Sequence, residues 1–143
     1  MTRAKRVHHV GIRVSDVDRA TDFYEGVLGL EQIDRPDFGF PGVWFQLGDV
    51  QVHLLGDLAA DHSPDRGPSD SRKEFSPLGR HFAFEVDDYE KTLAALQERD
   101  IEVLGLGAES GQMFVQDPDG NVVELIVPGG RLGRSASRAP KRR

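Results

Sequence analysis

The sequence predicts an α+β fold of two tandem modules, each a strand, a helix and three further strands, curved as a mixed sheet around a cavity. Three observations predict it. HVGIRVSDVDRATDFY, from His9, aligns without gaps on HFAFEVDDYEKTLAAL, from His81. FQLGDVQVHLL, from Phe45, aligns on FVQDPDGNVVELI, from Phe114, with a turn two residues longer. In each half, a segment of period two runs into one of helical spacing, the signature of a strand feeding a helix.

The first module spans residues 7–57. Val7 to Val14 alternates, with His8, Val10, Ile12 and Val14 on one face and His9, Gly11 and Arg13 on the other. Ser15 opens a Ser-x-x-Asp capping box with Asp18. Val17, Ala20, Phe23, Tyr24, Val27 and Leu28 then follow at helical spacing until Gly29 ends the helix. Glu31 to Ile33, Val43 to Leu47 and Val50 to Leu55 read as strands, the last two joined across Gly48-Asp49.

The second module, residues 79–128, repeats the plan. Arg80 to Val86 sets Phe82, Phe84 and Val86 against His81, Ala83 and Glu85, and Asp87 with Glu90 caps a helix carrying Tyr89, Leu93 and Leu96. Strands follow at Glu102 to Gly105, Gln112 to Gln116 and Asn121 to Val127. Asp117-Pro118-Asp119-Gly120 joins the last pair, with Pro and Gly where a type I turn takes them. Residues 57–79, rich in Pro, Gly, Ser and charge, read as a linker.

Composition bounds the function. At 143 residues the chain fits one ordinary domain over residues 1–130, and the absence of cysteine excludes disulfides, thiolate metal sites and cysteine nucleophiles. The N-terminus lacks the apolar stretch of a signal peptide, and no segment has the length of a membrane span. A cytoplasmic protein without a membrane partner is expected. The tail, residues 131–143, carries six Lys or Arg and no acid; removing that +6 from the formal −6 leaves −12 on the rest. Nucleic acid is therefore not an expected partner, and the basic tail is expected to be disordered.

The repeat superposes His9 on His81 and His53 on Glu124. A helix covers one face of each small sheet, and the four residues lie on the other. Two such faces turned toward each other enclose His9, His53, His81 and Glu124, with the small Gly11 and Ala83 leaving room beside them. Three imidazoles and a carboxylate suit a divalent Zn, Ni, Co, Mn or Fe ion. An ion with open positions acts as a Lewis acid on substrate oxygens, and Glu124 is the candidate general base. His8 has the wrong strand parity and His62 lies in the linker, so both read as structural or solvated. Phe40, Trp44, Phe45 and Phe114 are candidate pocket walls.

HHVGIRVSDVDRATDFYEGVLGLE, RHFAFEVDD and QDPDGNVVELI resemble the vicinal oxygen chelate superfamily, the glyoxalase I, bleomycin resistance protein and dioxygenase fold, and the resemblance spans residues 7–128. It implies paired βαβββ modules and a divalent metal held by His9, His53, His81 and Glu124. The glyoxalase I-like branch is the most similar. There, an arginine at the position of Arg13 holds a carboxylate of glutathione, which makes Arg13 a candidate substrate-binding residue. That branch usually has Glu where His53 stands and Asn where Asp57 stands, and an acid at Asp57 would repel glutathione. Fosfomycin transferases carry Thr at Gly11, ring-cleaving dioxygenases carry Tyr at Val115, and bleomycin resistance proteins generally lack the ligands.

The resulting expectation is a metal-dependent lyase or isomerase acting on a small substrate with vicinal oxygens. Its alternatives are a ferrous-dependent dioxygenase and a small-molecule binding protein of the bleomycin resistance type without turnover. A flexible linker of this length spans roughly 25 Å, enough to pair the modules within one chain or between two, and a homodimer is expected.

Overall fold

The computed structural model describes residues 1–56 and 75–130. Most of the expected linker, with Asp57 and His62, and the basic tail lie outside the described residues. The chain divides into two compact units, Met1–Arg72 and Lys73–Arg143. Each holds one four-stranded mixed sheet, as the repeat predicts.

In the first unit β1 (His9–Val14) is followed by α1 (Val17–Thr21), β2 (Glu31–Ile33), β3 (Gly42–Leu47) and β4 (Val50–Gly56). The strand order is β1-β4-β3-β2, with β1 parallel to β4 and the other pairs antiparallel. Gly48, at φ +56°, makes the two-residue turn between β3 and β4 with Asp49. Parity sorts the side chains: Ile12, Val14, Phe45, Val52 and Leu54 are buried with Ala20, Phe23, Tyr24 and Leu30 as the core.

The predicted single helix from Val17 to Leu28 is instead two segments. One α-helical turn gives way to a π-helical segment, Asp22–Val27. Its wider turn lets the adjacent Phe23 and Tyr24 both be buried, with the Tyr24 ring 6.5 Å from Phe45. Gly29, at φ +71°, ends the segment in the left-handed conformation expected there.

In the second unit β5 (His81–Glu85), α2 (Tyr89–Gln97), β6 (Leu104–Gly105), β7 (Gln112–Gln116) and β8 (Val122–Ile126) give the order β5-β8-β7-β6 with the same pattern of directions. β7 and β8 are buried on both faces, except at Gln112, Gln116 and Ile126. The Tyr89 hydroxyl accepts from the Gly107 amide at 3.0 Å, tying the start of α2 to the end of β6.

Both helix caps lie one residue beyond the expected positions. Asp16, not Ser15, caps α1, accepting from the Arg19 amide at 3.0 Å, and Asp88, not Asp87, caps α2, accepting from the Lys91 amide at 2.8 Å. Both residues have the extended backbone of an N-cap, so the first helical residues are Val17 and Tyr89. Asp16 and Asp88 are themselves equivalent in the repeat.

The Asp117–Gly120 turn has its expected Gly120 amide to Asp117 carbonyl bond, at 2.9 Å. The Asp117 carboxylate is buried within it, one oxygen accepting from the Asp119 and Asn121 amides at 2.9 Å each and the other from Asn121 Nδ2 at 2.7 Å. Among the described residues, no helix is long and apolar enough to cross a membrane.

Candidate functional site

On the first unit the face opposite the core carries His9, Gly11 and Arg13 from β1, Gln51 and His53 from β4, and Trp44 and Gln46 from β3. Register explains the grouping, because Gly11 and Trp44 are the two neighbours of His53 across its strands. A glycine on one side and rings around it let His53 stack on two partners. Its centroid lies 4.2 Å from His9, planes 15° apart, and 4.1 Å from Trp44, planes 6° apart.

Two glutamines fix the edge of this stack. Gln46 Nε2 donates to the Gly48 carbonyl at 2.7 Å and Gln51 Nε2 to Gln46 Oε1 at 3.2 Å, leaving Gln51 Oε1 facing His53 Nε2 at 2.9 Å. An amide oxygen only accepts, so Nε2 carries the proton and Nδ1 the lone pair. His53 is buried, and its pKa is lowered by that burial and then by the charges of His9, His8 and Arg35. It is thus held as neutral imidazole, the form able to bind a metal ion. The exposed His8 meets His9 Nδ1 to Nδ1 at 2.9 Å.

On the second unit the equivalent face carries His81 and Ala83 from β5, Glu124 from β8 and Phe114 from β7, with Ala83 and Phe114 flanking Glu124. His81 Nδ1 is 2.9 Å from the Gly79 carbonyl, which accepts its proton. Nε2 then faces Glu124 Oε2, 3.0 Å away. Two electron-rich atoms at that spacing require a positive charge between them, either a proton or a metal ion. Glu124 is buried, and its other oxygen accepts from Gln112 Nε2 at 2.8 Å, whose own carbonyl accepts from the Ser110 hydroxyl at 2.7 Å. The donor set of each unit therefore fits a divalent ion chemically. Each unit brings two expected ligands together, and among the described residues of neither do three such side chains gather.

Strand register corrects the repeat at one point. The sequence alignment equates Phe45 with Phe114, but Trp44 pairs with His53 and Phe114 with Glu124, so Trp44 and Phe114 are the equivalent rings. The second turn is one residue longer, not two. Phe45 points to the core, fully buried, while Phe114 lies beside His81 with centroids 5.7 Å apart. Phe40 lies outside the strands, 6.1 Å from Phe38.

Gln46, Gln51, Gln112 and Ser110 were not among the expected site residues. For the first two, parity with Trp44 and His53 was a usable signal. Parity with Phe114 puts Gln112 on the same face too, but its diagonal bond to Glu124 depends on cross-strand register.

A sequence model of the Glyoxalase/Bleomycin resistance protein/Dioxygenase superfamily matches residues 6–125. The chain is 29% identical to Glyoxylase I 4 of Arabidopsis thaliana, over 92% of this chain and 80% of that protein. It is 33% identical to the ethylmalonyl-CoA/methylmalonyl-CoA epimerase of Cereibacter sphaeroides, over 71% of this chain and 76% of that protein. Among solved structures, an antibiotic binding protein from a Streptomyces species is similar with a TM-score of 0.67 and 25% identity, over 90% of this chain and 99% of that one.

Proposed function

The chain belongs to the Glyoxalase/Bleomycin resistance protein/Dioxygenase superfamily, and from that membership we propose that it is a metal-dependent lyase or isomerase acting on a small substrate with vicinal oxygens. The observation that carries this reading is His81 Nε2 held 3.0 Å from Glu124 Oε2 while Nδ1 is turned to the Gly79 carbonyl. His9, His53, His81 and Glu124 are the proposed ligands, drawn from one chain or shared in a homodimer. A bound divalent ion supplies Lewis acidity that stabilises negative charge on a substrate oxygen.

The chain's own residues do the rest. Gln112 fixes the Glu124 carboxylate through Oε1, and Oε2, the oxygen that faces His81, is the one that takes a proton from substrate carbon and returns it. His53 stays neutral, and its stacking between His9 and Trp44 sets the ring plane. Gly11 and Ala83 keep the strand beside each site small.

Reconstitution with Zn, Ni, Co, Mn or Fe should give turnover on an α-keto aldehyde, a hydroxy acid or a thiol adduct that falls at least 100-fold in His81→Ala. Equal activity of wild type and variant would defeat the reading. A second reading, small-molecule binding without turnover, is favoured by the exposed Phe38 ring 5.9 Å from Trp44. Tight binding that His81→Ala leaves intact, with no product formed, selects it. Oxygen uptake on adding a catechol to the ferrous protein would select dioxygenation, and light scattering tests the homodimer.

A further inference from the structure

The structure assigns a carboxylate-binding subsite to Arg35, which neighbours the Trp44 and His53 stack of the first unit. Arg35 lies between β2 and β3 in the stretch Arg-Pro-Asp-Phe-Gly-Phe-Pro-Gly-Val-Trp. Gly42 opens β3 and shares its pleat face with Trp44. A Cβ at Gly42 would stand 2.6 Å from the Leu54 carbonyl oxygen, 2.8 Å from Arg35 Nε and 2.9 Å from its Cζ. The glycine thus leaves a space that the guanidinium fills. Through Phe38, which it touches and which lies 5.9 Å from Trp44, the guanidinium neighbours the Trp44 and His53 stack.

Two rings hold it there, with Cζ 4.8 Å from the Phe40 centroid and 5.1 Å from that of Phe38. Yet Nε and Nη2 are both buried, and neither has a hydrogen-bond partner among the described residues. These donors share one edge of the guanidinium, the forked edge whose spacing matches two carboxylate oxygens. Arg35 is half-buried, but two donors of its permanent cation withdrawn from water and left unpaired are costly, and ring contacts offset only part of that cost. A carboxylate completes the fork. Beside it, the Phe38 ring is 53% exposed and 5.9 Å from Trp44, offering a flat apolar surface. The ligand class is therefore a carboxylate attached to a flat apolar group, an assignment that does not depend on a metal.

Trp44 is the chain's one tryptophan, so its fluorescence reports the site directly. Benzoate titrated into the full-length protein should change that fluorescence saturably, and neutral benzamide should not. Arg35→Gln should weaken benzoate at least tenfold. Arg35→Lys, which keeps the charge and loses the fork, should do the same with an unchanged circular dichroism spectrum, and it carries the test if the glutamine variant does not fold. Benzoate affinity should survive chelator treatment. Equal binding of benzamide, full affinity in Arg35→Lys, or binding that chelation abolishes while Arg35→Gln spares it would each overturn the assignment.

Discussion

The indole of Trp44 lies flat against the imidazole of His53, with ring centroids 4.1 Å apart and planes within 6° of parallel. The contact follows from register alone, since the two residues are paired across β3 and β4 and share a face. It makes His53 part of a packed surface while leaving its chemistry tied to burial and to Gln51.

Burial, reinforced by the charges of His9, His8 and Arg35, holds the His53 imidazole below its ordinary 6.5. On acidification the unfolded chain takes up this proton first. The stability the neutral ring contributes is therefore fully present above pH 6.5 and is lost as the pH falls through the folded value. Urea unfolding from pH 7.5 to 5 should show a steeper acid loss for wild type than for His53→Gln. Parallel curves would contradict this assignment.

Trp44 and Phe45 are neighbours with opposite duties. Phe45→Ala removes a fully buried ring and should cost about 3–5 kcal/mol in chemical denaturation. Trp44→Ala should cost less than Phe45→Ala, because Trp44 is only half-buried, and should free the His53 ring. A larger loss for Trp44→Ala would mean the register is misassigned.

The caps give a paired comparison. Asp16→Ala and Asp88→Ala should each destabilise by about 1 kcal/mol, and each by more than its neighbour's variant, Ser15→Ala and Asp87→Ala respectively. Thermal melts of the four variants decide it, and a reversal within either pair would restore the cap positions read from sequence.

Asp117→Ala strips the buried acceptor from two backbone amides and the Asn121 side chain. With donors left unpaired, the expected loss is about 2–3 kcal/mol. Divalent-ion affinity measured by calorimetry should change less than threefold, since the turn is separate from the His81 and Glu124 contact. A variant as stable as wild type would show that the carboxylate is dispensable.

Much of this was legible in the chain. Period-two alternation marked β1 and β5, because a strand half-buried on one face must alternate, and short apolar runs bounded by turn residues marked β3, β4, β7 and β8, all to within a residue or two. The repeat placed His9 on His81 and His53 on Glu124, and both units then showed the same strand order. Less was legible where two neighbouring residues could serve equally. Ser15 and Asp16 are both good caps, and only the residue at which the helix begins chose between them. The same holds for Asp87 and Asp88.

The sequence by itself determined two βαβββ modules, their faces and the chemical class of the residues on each, because these depend on local periodicity and residue type. Tertiary structure decided what needs distances between strands: that Trp44 and not Phe45 lies on His53, that Gln51 and Gln112 orient the two sites, and that Gly42 makes room for the Arg35 guanidinium. Those outcomes depend on cross-strand register and on where a missing Cβ leaves space, neither of which a one-dimensional pattern encodes.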